Sequence, residues 1–236
     1  MVNTIDAIII IFLLLGALYG FKRGVIKSSV SFFGTLLVII LSFTLKNPLS
    51  EFMYMHLPFF NFSGELAGIS VFNILIYEGI AFLIIFGILE VLLKLVILAS
   101  GILEKILRIT IVFGAFSKIL GLIFGFIEYY LITFVVLFIF ANLSFSASYI
   151  EDSNIANKIL LGTPVLGDVI ADEASAIKEI LDLQKIYNDN KEECNKEAFA
   201  ILIKYNILNI DSASELVSSG KLKIPDAEKI IAEYRK

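Results

Sequence analysis

Three carboxylates stand where carboxylates are expensive. Glu78, Glu90 and Glu128 all interrupt long apolar runs. A charge near the middle of a bilayer costs at least ~2.5–3.5 kcal/mol, so such acids face a cavity or a partner. Glu128 is the deepest. It lies about nine residues into a run over 119–143, roughly 14 Å in at ~1.5 Å per residue. Two chemistries fit it: a proton- or cation-handling carboxylate, or an acid, protonated or ion-paired with Lys94 or Lys118, that orients helices. Glu90 precedes Lys94 by four residues, the favourable order for a helical ion pair. Asp6 and Asn73 sit at the edges of apolar runs and read as interfacial.

Glycines and cations supply the other signals. Gly16, Gly20 and Gly24 recur every four residues, and Gly114, Gly121 and Gly125 mark the approach to the last apolar run. In lipid, small residues at that spacing let two helix backbones approach closely, within one chain or between two copies. Lys22-Arg23 reads as a topology signal that also meets anionic lipid headgroups.

Other chemistry is poorly supplied. One cysteine, Cys194, and one histidine, His56, argue against a disulfide or a zinc site. No Ser/His/Asp triad or Walker-type phosphate loop can be assembled. Ser175 and Lys178 match a bare Ser-x-x-Lys pattern, but its companion motifs are absent. The expectation is therefore no catalytic residue, no cofactor-binding residue and no metal.

The elements that must position these groups are helices in a membrane. The chain is 58% hydrophobic, with mean hydropathy +0.89, against about 45–50% apolar for soluble domains. Apolar runs predict four spans, at 5–21, 25–45, 71–100 and 119–143. The fold class expected is all-α: a polytopic helical membrane domain over 1–145 and a short soluble helical tail over 146–236. Residues 1–145 hold eight Lys/Arg against seven Asp/Glu, and residues 146–236 eleven against sixteen. So acidic a tail gives nucleic acid no basic face.

Spans one and two meet almost without a loop, as a tight hairpin with a basic turn. Residues 46–70 read as a loop, because Asn47-Pro48 and Leu57-Pro58 are turn signals. Its aromatics, Phe52, Tyr54, Phe59, Phe60 and Phe62, suit the headgroup level. Residues 101–118 read as an amphipathic interfacial stretch. In the tail, Gly162-Thr163-Pro164 breaks the helical pattern, Ser212 to Glu215 fits a capping box, and Pro225-Asp226 a helix start. The start of the chain lacks the basic flank and cleavage site of a signal peptide. Basic residues at 22–27 and 94–118 place both links in the cytoplasm and both termini outside.

The first 45 residues resemble a known family. Asp6 opening an apolar run, then Gly16-x-x-x-Gly20-Phe21-Lys22-Arg23-Gly24 leading directly into a second span, is similar to the colicin V production (CvpA) family. Phe113-Gly114, Gly121-Leu122-x-x-Gly125 and Pro164 continue the likeness over residues 1–170. The resemblance implies a bacterial inner-membrane protein connected with colicin V production or export and with tolerance of envelope stress. Some relatives append a trypsin-like domain on the outer side, but residues 171–236 lack its triad, so proteolysis is not carried over. Three functions follow as expectations: a non-enzymatic component supporting toxin export or envelope homeostasis, a membrane anchor recruiting a partner through its tail, and proton-coupled transport through Glu128. The partners expected are the lipid bilayer, a second copy of the chain and a protein bound by the tail.

Overall fold

The computed structural model describes residues 4–62, 68–99, 114–141, 153–163, 171–187 and 190–235. Every regular element among the described residues is α-helical. Four helices are long and apolar enough to cross a bilayer: α1 (Thr4–Arg23), α2 (Val25–His56), α3 (Phe72–Ala99) and α4 (Gly114–Ala141). Five shorter ones follow: α5 (Asn154–Gly162), α6 (Ala171–Ile186), α7 (Lys191–Lys204), α8 (Ile210–Ser218) and α9 (Ala227–Tyr234). The 20 residues of α1 span about 30 Å, the thickness of the hydrocarbon core. Leu83, Ile84, Ile88, Val91, Leu92, Leu95 and Val96 of α3 are all exposed. Such a face would aggregate in water, whereas lipid accepts it because the helix satisfies its own backbone hydrogen bonds.

Contacts divide the chain into two compact units: Met1–Leu45 with Phe82–Gly167, and Lys46–Ala81 with Asp168–Lys236. The hydropathic boundary at residue 145 is not where the contacts divide. Helices α2 and α3 contribute to both units, and α5 belongs to the first.

Within the first unit, α1 and α2 are separated by Gly24 alone, at φ +76°. Only glycine enters that left-handed region without strain. Its N–H donates to the Gly20 carbonyl at 3.0 Å and its carbonyl accepts from Ser28 N–H at 3.1 Å. The Val25 N–H at the start of α2 finds Ser117 Oγ on α4, 3.2 Å away.

Helices α1 and α4 run antiparallel in glycine-to-glycine contact. A Cβ built on Gly20 would lie 2.1 Å from the Gly121 carbonyl oxygen and 2.7 Å from Gly125 Cα. One on Gly16 would collide with Tyr129, and one on Gly121 with Gly20 and Gly24. The close helix pair anticipated from the glycine spacing thus forms inside one chain.

Several boundaries differ from the sequence expectation. Helix α2 does not stop at residue 45 but runs on to His56 with Pro48 inside it. Proline removes one backbone donor but keeps a helical φ, and neighbouring groups can take up the freed carbonyl. The described non-helical residues between α2 and α3 are therefore 57–62 and 68–71. Of the rings expected in that loop, Phe59 and Phe60 lie against Tyr77, Phe62 meets Phe72 edge-on and Tyr54 of α2 is buried, while Phe52 and Phe60 stay exposed. The interfacial stretch expected over 101–118 lies outside the described residues as far as 113, and residues 114–118 open α4. Pro164 also lies outside them.

In the second unit, the cap of α8 is Asn209, whose side chain accepts from Ser212 N–H at 2.7 Å. Ser212 itself lies within the helix, because Asn209 reaches the free N–H groups first. Asp226 opens α9 with φ 54° and no side-chain cap bond, and instead accepts from Lys229 at 2.6 Å.

Candidate functional site

The first unit carries a polar cluster between α1, α2 and α4. Glu128 accepts from Arg23 Nη2 at 2.7 Å and from Ser31 Oγ at 2.8 Å. Arg23 Nη1 also donates to Ser31 Oγ, at 3.1 Å. The guanidinium lies 4.2 Å from the centre of the Tyr19 ring. A charged donor fork, a carboxylate, a hydroxyl and a π face thus share one site, with Glu128 only 8% exposed. Arg23 Nε is buried with no hydrogen-bond partner among the described residues. Such a pair fixes helix position: removing one member leaves an uncompensated charge.

The glycine contact explains why the pair forms. Gly24 lies against Gly121 and Gly16 against Gly125 and Tyr129, so Arg23 reaches Glu128 by folding back along α1 over the Tyr19 ring. Lys118 does not pair with Glu128, because ten residues of the same helix hold them about 15 Å apart; it lies over the Phe21 ring instead. Lys94 is occupied by Glu90 at 3.7 Å, and Glu90 also accepts from Thr35 Oγ1 at 3.1 Å. Both partners considered for Glu128 are corrected to Arg23. Of the basic turn, Lys22 is exposed while Arg23 folds back against the helices.

A second cluster belongs to the other unit. Glu78 of α3 is bonded by Lys46 and by Ser50, both on the part of α2 that was expected to be loop. Lys46 Nζ also lies 3.4 Å from Glu173 of α6. The lysine is only 5% exposed, so a buried cation joins α2, α3 and α6. Around it, Glu51 accepts from Asn209 Nδ2 at 3.0 Å and from the Ser212 hydroxyl. Asn195 of α7 receives Val71 N–H at 3.3 Å and donates to the Gly68 carbonyl at 2.6 Å. Lys221 donates to the carbonyls of Tyr54, Met55 and Leu57, satisfying the free C-terminal carbonyls of α2. Burial pushes the Lys221 amine below its usual value. The helices after residue 171 are therefore fastened to residues 46–81 by side-chain bonds from α6, α7, α8 and the segment before α9.

Two polar residues read as interfacial are structural. Asp6 is buried and accepts from the Ser153 hydroxyl and from Ile155 N–H at 3.1 Å, at the start of α5, where a carboxylate suits the helix dipole. Asn73 is fully buried and ties Phe60 to α3 by accepting its N–H at 2.6 Å and donating to its carbonyl at 3.2 Å.

No group of three metal-ligating side chains occurs among the described residues. Sequence reasoning missed Ser31, Thr35, Lys46, Asn195 and Lys221. One signal was available: Lys46 is the sole cation between residues 28 and 93, and Glu78 needs one. Nothing in the local pattern pointed to Asn195 or Lys221, which bond residues more than a hundred positions away.

A family model described as Colicin V production protein matches residues 5–164. The chain is 29% identical over 172 residues to an uncharacterized transmembrane protein, YshB, of Bacillus subtilis (strain 168), covering 70% of this chain and 94% of that protein. No solved structure matches the chain. Together with the four candidate spans, these matches make the chain a multi-pass membrane protein.

Proposed function

Because the chain belongs to the colicin V production protein family, we propose that it is a component of the bacterial cytoplasmic membrane that supports production or export of a colicin V-like toxin, or upkeep of the envelope, without a catalytic step of its own. The observation that carries this reading is the engagement of Glu128 by Arg23 and Ser31. Glu78 and Glu90 are engaged in the same manner. Acids held this way orient helices, which favours a structural membrane component over a transporter working through Glu128. Placement of the basic end of the α1–α4 pair, with Lys22, Arg23 and Lys118, in the cytoplasm follows the positive-inside rule and puts both termini outside.

The test is a bacterial strain lacking this chain, complemented with wild type or with Glu128→Gln. Secreted toxin activity and survival under envelope stress are the readouts. Wild type restores them, and Glu128→Gln restores them in proportion to the amount of folded protein. If the deletion leaves both readouts unchanged, the proposal fails. If folded Glu128→Gln protein is inactive, proton or cation handling replaces it. Growth supported by a cytoplasm-only reporter enzyme at the C-terminus would overturn the orientation.

A second reading is a membrane-anchored scaffold that holds a partner through its C-terminal region. It is favoured by the fastening of residues 171–235 to residues 46–81 through Lys46, Glu51, Asn195 and Lys221, which makes the region a fixed platform.

A further inference from the structure

Among the described side chains from Ser153 onward, the large apolar ones are almost all buried or half-buried. Among the described residues in that stretch, only Ile186 (71%) and Tyr234 (37%) are exposed. Both line the same groove of about 370 Å³, between α6 and α7 with α9 at its lip. Leu183 and Ile201 continue its apolar lining. Asp182 and Glu197 supply acid along the walls, and Glu179 is tied to Lys204 at 3.1 Å and to Tyr205 at 2.5 Å. Those bonds, Tyr205 first and Lys204 next, hold the Glu179 carboxyl below its usual range. The wall thus offers three carboxylates against one lysine.

We propose that this groove is a docking surface for a short basic amphipathic helix of another protein. The proposal rests on the scaffold reading and names its surface and partner chemistry. An apolar stripe would meet Ile186, Leu183 and Tyr234, while Lys or Arg on its flanks would meet Glu197. Charge argues against the other occupants. Anionic lipid headgroups are repelled by the acidic walls. A second copy docking symmetrically would bring acid against acid. The larger groove of about 870 Å³ between α8 and α9 also carries acids, but none of its lining residues is a large exposed hydrophobic, so it serves as the control.

The experiment uses the full chain purified in detergent and a fluorescent Lys/Leu amphipathic helix of about 15 residues. A scrambled Lys/Leu peptide and a Glu/Leu helix are the comparison probes. The patterned Lys/Leu helix binds, and the other two bind at least about tenfold more weakly. Glu197→Lys and Ile186→Ala each weaken binding severalfold, and Asp211→Lys in the control groove leaves it unchanged. Protection of Cys194 from maleimide verifies that each variant is folded. Equal binding of the scrambled peptide, or an equal loss with Asp211→Lys, overturns the proposal. So does a change of oligomeric state on Ile186→Ala in sedimentation, since a second copy would then occupy the groove. If peptide binding behaves as expected but Glu197→Lys restores the deletion strain fully, the groove stands and the scaffold reading fails.

Discussion

The α1–α4 contact can be tested with a single methyl group. Gly20→Ala adds a Cβ that would stand 2.1 Å from the Gly121 carbonyl oxygen and 2.9 Å from Gly125 N. Ordinary contact begins near 3.4 Å. The obstructing atoms are backbone, so no rotamer change relieves the overlap and the helices must part by about 1 Å. A gap of ~0.5–1 Å forfeits a quarter to a half of each pairwise dispersion well along the contact. Overpacking by one methylene costs about 1–3 kcal/mol, and this site belongs at the upper end. Against that, replacing glycine in a helix gains about 0.8–1.0 kcal/mol. The expected net effect is a loss of about 2 kcal/mol. Gly87 provides the opposite case: nothing lies within 4 Å of its Cβ position, so Gly87→Ala realises the propensity gain alone. The assay is equilibrium unfolding of the purified protein in detergent, with the melting of the size-exclusion peak as a second measure. Gly20→Ala falls below wild type while Gly87→Ala matches or exceeds it. A Gly20→Ala protein as stable as Gly87→Ala would refute the glycine contact and the placement of Arg23 beside Glu128 that depends on it.

Three further outcomes follow. Arg23→Gln and Glu128→Gln each destabilise the protein, the double variant loses less than the sum, and the double-mutant cycle in detergent unfolding gives a coupling of about 1–3 kcal/mol; zero coupling would mean the pair is not formed. Lys46→Met leaves Glu78 and Glu173 without their shared cation and destabilises by about 3 kcal/mol; hydrogen exchange then rises in α6, and unchanged exchange there would show that Glu173 is not held by the lysine. Cys194 is fully buried, and burial pushes its thiol above the usual value. Since thiolate is the reactive form, maleimide leaves the native protein unlabelled near neutral pH and reacts once detergent denatures it; prompt native labelling would contradict the packing of α7.

Acid offers a further check on the α6–α7 pair. The Glu179 carboxyl is held below its ordinary 4.5 by Tyr205 and Lys204. A depressed acid contributes stability above its unfolded value and loses it as pH falls through the folded one. Wild-type protection of α7 against hydrogen exchange therefore weakens below about pH 4.5, and in Glu179→Gln that part of the acid dependence is absent. The same acid sensitivity in both proteins would rule the pair out as its source.

The four spans, the tight hairpin joining the first two and the outlier status of Glu128 were all legible in the residue order, whereas the continuation of α1 through Lys22 and Arg23 to a single linking Gly24 was not. They depend on properties that act locally: twenty apolar residues match a bilayer, glycine alone enters the left-handed region easily, and a carboxylate in hydrocarbon is costly wherever the chain goes next. Pro48 misled for a related reason. Its turn signal is a local preference, and a long helix with neighbours to satisfy the backbone overrides it.

What the residues could not declare was partnership. Glu128 required a cation, but whether that cation was Lys94, Lys118 or Arg23 depended on which helices touch, and a glycine contact between α1 and α4 decided it. Whether that contact lay within one chain or between two was equally invisible in the spacing. Asn195 and Lys221 show the same limit at greater range, because hydrogen bonds between residues more than a hundred positions apart leave no periodicity in sequence. Hydropathy determined that this chain enters a membrane; tertiary packing decided which charges meet there, because the cost of burying a charge belongs to the residue and its remedy belongs to the neighbour.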